Sequence, residues 1–294
     1  MRSGATIGLR ARLLPLALVA AGVAAVGAGA VALRGIEEER GLLLPPPSIG
    51  TGSLVQQQIA LLAMGGLRSP AAEVLAIGAT DAWIAQDWDK AEKRWQEITT
   101  LAPRRPNYWM RAAYDMLYNA TAWARSAEGR TDRERRILER SFRRRGVDFL
   151  QTGLANNPDS VLLQLELARY YEDPYQHPDY AKAAAAYRRA LDMGAAPRYE
   201  RWVFYNLCRL RGHERKALEL GRRLFHEPMH RTPSVRGLIF VLQNRLNLPP
   251  AECMSPAELY GSEQSARTHL RNLLRNDLGY PTDGIADYLN RTAP

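Results

Sequence analysis

Cysteine is almost missing from this chain of 294 residues: Cys208 and Cys253 stand far apart and in no metal-ligand spacing, so no zinc or thiol-redox motif follows from them. In an oxidising compartment the two could pair, but Cys208 falls in an apolar stretch, where a buried free thiol is the commoner outcome. No Gly-rich phosphate loop, nucleophile elbow or paired-carboxylate constellation appears, so neither catalysis nor a cofactor is expected. Alternation of polar and apolar residues is scarce, and almost no sheet is expected. A lipobox cysteine is also lacking, which argues against a lipoprotein.

Present instead is an excess of positive charge, 40 Lys and Arg against 31 Asp and Glu, for a net +9. Most of the excess is Arg, in an Ala- and Arg-rich composition that a GC-rich genome also produces, so the charge reads first as a solubility term. Apolar residues at 46% and charged ones at 24% are ordinary globular values, and the length suffices for one large domain or two small ones.

From Leu13 to Leu33 run 21 residues without a charge, about 31 Å as a helix, close to a bilayer's hydrocarbon core. Arg2, Arg10 and Arg12 precede it, while Arg34 is soon followed by Glu37, Glu38 and Glu39. This bias places residues 1–12 in the cytoplasm and everything after the 13–33 segment outside. An uncleaved signal-anchor is expected; Ala28-Gly29-Ala30, a small-x-small tail, keeps cleavage open. Residues 34–53, with Pro45-Pro46-Pro47 and then Gly50 and Gly52, read as an extended linker.

The body, 54–248, carries an internal period. Its sharpest copy is Trp88, Ala91 and Trp95 closed by Pro103; then come Trp109 and Ala113, with Leu150, Gly153 and Pro158 ending a second unit. A third unit has Leu167, Ala168 and Tyr171, then Tyr180, Ala183, Tyr187 and Ala190. A fourth is partial: Gly212 suits the turn and Ala217 the packing position, but Gly221 stands where an aromatic is expected. A small residue lets a neighbouring helix approach, and a bulky one four residues later fills the space beside it.

This pattern resembles the tetratricopeptide repeat (TPR) family over about residues 70–230. Ala63-Met64-Gly65-Gly66-Leu67-Arg68 is similar to an element of membrane-anchored bacterial TPR proteins. The resemblance implies an all-α fold, a right-handed α-solenoid of helix pairs. Residues 249–294 should form a helical cap, with a last helix from the capping box Ser255-Pro256-Ala257-Glu258 to about Leu278.

Two strings bear on other chemistry. His226-Glu227-Pro228-Met229-His230 has the spacing of a zinc-protease motif, but Pro228 breaks the continuous helix that such a site requires, and no metal site is expected. Arg125 to Arg145 contain nine arginines against four acids. With the Thr131-Asp132-Arg133-Glu134 capping box, they read as a basic amphipathic helix inserted in the second repeat, either a solvated face laced with Glu–Arg pairs or a contact for anionic lipid or an acidic partner. Nucleic acid is not expected outside the cytoplasm.

The resemblance further implies a tethered, extracytoplasmic scaffold that binds protein partners in an envelope assembly, alone or as a subunit of a larger complex; the rival is an enzyme or an anionic polymer- or lipid-binding protein. In TPR proteins the first helix of each pair lines the groove. Carried onto this chain, that implies Tyr114, Tyr118, Arg169, Trp202, Asn206 and Arg209 as partner-binding residues, with an acidic peptide segment as the ligand they suit.

Overall fold

The computed structural model describes residues 68–276 and 279–291. The expected membrane segment 13–33, the linker 34–53 and the Met64-Gly65-Gly66-Leu67 element lie outside the described residues. Among those described the protein is all-α and contains no strand.

The described residues divide into two compact units, the first ending at Phe149 and the second beginning at Leu150. The first holds α1 (Arg68–Ile84), α2 (Trp88–Leu101), α3 (Pro106–Tyr114), a π-helical turn (Asp115–Ala120) and α4 (Thr121–Ser126). Helix α5 (Asp132–Asn156) begins in this unit, and the division falls within it. The second unit holds α6 (Val161–Glu172), α7 (Tyr180–Asp192), α8 (Glu200–Cys208), α9 (Glu214–His226), α10 (Pro233–Arg245), α11 (Pro256–Tyr260), α12 (Glu263–Arg275) and α13 (Ile285–Arg291). Within each unit, helices pack chiefly on their neighbours in sequence, as short connections between helices require.

Local signals explain the boundaries. Asp87 caps α2 by accepting from Lys90 N at 3.1 Å, Asp179 caps α7 through Lys182 N at 3.0 Å, and Ser160 opens α6; each satisfies an otherwise orphaned N–H. Helix α5 starts on the predicted box: Thr131 N donates to Glu134 Oε2 at 2.7 Å, and Glu134 N donates to Thr131 Oγ1 at 3.3 Å. The Arg-rich stretch spans the end of α4, the connection after it and the first half of the long α5.

The Ser255 capping box also forms, but α11 stops at Tyr260. Gly261 takes φ +85° there, a left-handed cap open to glycine at no steric cost, and Ser262 caps a new helix. The single helix expected to reach Leu278 is thus two, with α12 ending at Arg275.

The small residues sit where helices touch. Ala91, Ala113, Ala168, Ala183, Ala190 and Ala217 are all buried. At Gly146 an added Cβ would lie 2.5 Å from Leu117 Cγ and 3.1 Å from the Ala113 carbonyl oxygen, so this glycine is the small packing residue of its helix pair. The fourth unit's missing aromatic is replaced from the facing helix: a Cβ at Gly221 would meet Phe204 Cε2 at 2.6 Å and Ile239 Cγ1 at 3.1 Å, and Phe204 is fully buried.

Candidate binding surface

In the second unit α6, α7 and α8 gather a polar and aromatic cluster. The spacing of Trp202, Asn206 and Arg209 puts them on one face at the end of α8. Glu172, the last residue of α6, stands at the centre: its Oε1 accepts from the Tyr187 hydroxyl at 2.6 Å, and its Oε2 accepts from Asn206 Nδ2 at 3.0 Å. The same amide donates to the Trp202 carbonyl at 2.8 Å. Asn206 is fully buried, and its Oδ1 finds no hydrogen-bond partner among the described residues.

Around this core lie rings and guanidinium groups. Tyr187 stacks on Tyr199 with centroids 6.0 Å apart, and Trp202 lies 5.5 Å from Tyr199. Arg209 is half-buried between two rings, 4.9 Å from the Tyr180 centroid and 3.8 Å from that of Tyr280, a cation–π cage. Arg169 is exposed and pairs with Glu166. Of the four residues expected in this unit, Arg169 and Trp202 thus offer surface. Asn206 has already given its donors to Glu172 and Trp202, and Arg209 is held by tyrosines.

Burial, reinforced by Glu172, pushes the Tyr187 hydroxyl far above its ordinary range. Burial lifts Tyr280 to about 12. Tyr199 moves the other way, its hydroxyl held down by the Arg198 and Arg169 guanidinium groups that flank it. Tyr187 stays protonated near neutrality and donates to Glu172, while Tyr280 offers its ring to Arg209.

In the first unit Tyr114 and Tyr118 pack ring to ring at 4.9 Å, with Tyr114 51% exposed. Between them the helix widens, and Thr121 Oγ1 donates to Met116 O, five residues back, at 2.8 Å. The wide turn presents the buried Asp115, whose Oδ2 accepts from Trp95 Nε1 at 2.7 Å and whose Oδ1 accepts from Asn119 Nδ2 at 2.9 Å. Burial raises this carboxyl above its usual range, although both donors oppose the shift.

Sequence reasoning missed Asp115, Glu172 and Tyr280. An acid inside the apolar run from Ala112 to Leu117 was the available sign for Asp115. Glu172 reads as a helix-end surface residue, and Tyr280 follows the last periodic segment, so neither carried a signal.

The histidine string is split by the backbone. Helix α9 ends at His226, Glu227 takes φ −93° and ψ 117°, and Pro228–His230 form a 3₁₀ turn. His226 is exposed and His230 is fully buried, 3.3 Å from Glu227 Oε2. Among the described residues no three His, Cys, Asp or Glu side chains group to hold a metal. Cys208 and Cys253 are both free thiols. Burial raises the Cys208 thiol.

The described residues define an all-α protein built of packed helix pairs. No protein-family model matches the chain, and no curated protein matches it.

Proposed function

We propose that the chain is a TPR-type right-handed α-solenoid, held to a bacterial membrane by the segment 13–33, that binds a protein partner outside the cytoplasm through the first helices of its pairs. The observation that carries this reading is a repeated interlock: a fully buried alanine followed four residues later by a buried aromatic, Ala91 with Trp95 and Ala183 with Tyr187. Stacked helix pairs of this kind leave one helix of each pair facing a shared concave surface. The exposed Tyr114 and Arg169 and the half-buried Trp202 supply rings and a cation of the sort that anchor interfaces. An acidic segment of the partner would meet Arg169 first, because Asn206 is committed to Glu172.

The test is affinity purification of the tagged, membrane-extracted full chain. The double variant Tyr114→Ala, Arg169→Glu should lose the co-purifying partner with a stability change within about 1 kcal/mol, since both positions are exposed. Arg209→Glu is a poor probe, because it also strips the cation from two rings. A partner retained by the double variant, or a C-terminal reporter that is active only in the cytosol and proves bright, would sink the reading.

A further inference from the structure

Helix α5 carries an arginine row that the partner-binding surface does not use. Arg133, Arg136, Arg140 and Arg144 are all exposed, and at 100° per residue they fall on one side of the helix. The opposite side packs on the first unit, where Phe142 meets Trp88 and Trp123 with centroids 6.5 and 6.3 Å away. The acids nearest the row are Asp132, Glu134 and Glu139, with the exposed Asp148 one turn beyond Arg144 and in no ion pair with it. Glu134 holds the Thr131 cap, Glu139 takes Arg125 and Arg143, and Asp132 lies 3.7 Å from Arg135. The cations Arg133, Arg136, Arg140 and Arg144 have no acidic partner among the described residues, and Ile137, 53% exposed, stands within the row.

From this we infer that the α5 row docks the first unit on the headgroups of an anionic bilayer. Four guanidinium groups with no acidic partner along about 16 Å of helix, with a single apolar side chain among them and Arg140 Nε donating to the Arg136 carbonyl at 3.2 Å, form one charged strip. A protein interface needs desolvated anchors seated in pockets. A headgroup layer needs only an aligned field of opposite charge. Removing each arginine should weaken surface association about fivefold. The inference does not depend on the segment 13–33, which would hold the chain to any bilayer.

The full chain, reconstituted into vesicles of phosphatidylcholine alone or with phosphatidylglycerol, tests it. Flotation reports attachment; a fluorophore on Ile137→Cys, in a Cys253→Ser background that leaves Cys208 shielded by burial, reports docking through quenching by headgroup-labelled lipid. Quenching is expected only in the phosphatidylglycerol vesicles, and it should vanish in the variant Arg133→Gln, Arg136→Gln, Arg140→Gln, Arg144→Gln. The control Arg188→Gln, Arg189→Gln, Arg211→Gln, Arg215→Gln removes the same charge elsewhere and should keep the quenching. Flotation with phosphatidylglycerol vesicles alone would support the docking while refuting the anchor. Equal quenching in neutral vesicles, its survival in the α5 variant, its loss in the control, or a probe that responds to polyglutamate and not to vesicles would overturn it.

Discussion

The two units place an aromatic at the same point of their helix pairs, four residues after a buried alanine, and each aromatic turns its polar tip to a carboxylate. Trp95 reaches Asp115 at 2.7 Å in the first unit, and Tyr187 reaches Glu172 at 2.6 Å in the second. The surroundings differ. Asp115 is buried in a π turn with its carboxyl pushed up, whereas Glu172 is half-buried at a helix end and shared with Asn206. A recurring packing position therefore fixes where the ring goes, and the wetness of the neighbouring helix decides what the hydrogen bond is worth. At Gly221 the same position holds no ring, and Phe204 fills the volume from across the pair. What repeats is a filled layer more than a residue type.

Breaking the filled layer should have the largest effect. Phe204→Ala is expected to cost about 3–5 kcal/mol in denaturant unfolding. Gly221→Phe alone should also destabilise, by about 3 kcal/mol or more, since the ring site is taken. Combined, the two should recover at least about 1 kcal/mol relative to their sum; strict additivity would mean that the two positions do not share one space. Next, Ala183→Leu beside Tyr187 should overpack its pair by about 1–3 kcal/mol, and an unchanged melting temperature would refute the close approach.

The aromatic–carboxylate comparison is sharpened by trimming each tip. Trp95→Phe should cost about 2 kcal/mol, because it leaves a buried carboxyl with one donor, whereas Tyr187→Phe should cost about 1 kcal/mol, because water can reach Glu172. Equal costs measured by urea titration would remove the distinction between the units.

The smallest effect is a pH dependence. Asp115 has a folded pKa above its unfolded one, so it binds its proton more tightly in the native state. Its stabilising contribution is present below the unfolded pKa and lost as pH rises through the folded value. Thermal unfolding should therefore show Asp115→Asn gaining on the parent chain as pH rises from the ordinary carboxylate range toward neutrality. A difference independent of pH would mean that Asp115 is solvated.

Much of the fold was legible from residue spacing. Ala91, Ala168, Ala183 and Ala217 are buried as read, since small residues at helical intervals have few other uses in an apolar face. Caps at Thr131 and Ser255 were also readable, because capping rests on residues three apart. The candidate surface was less so. The family resemblance implies Asn206 and Arg209 as groove donors by their position in the repeat, and position does not report what the next helix or a distant tyrosine brings to the same place.

Local sequence by itself determined that the described chain is helical, where most helices begin, and which side chains are small enough to let helices meet. Those properties depend on neighbours within a few residues. Tertiary structure alone decided that Phe204 stands in for an aromatic at Gly221, that Gly146 receives Leu117, that Tyr280 closes over Arg209, and that Asp115 and Glu172 hold two rings. Each of these joins residues from different helices or segments, where volume and charge are matched in space and leave no periodic trace along the chain.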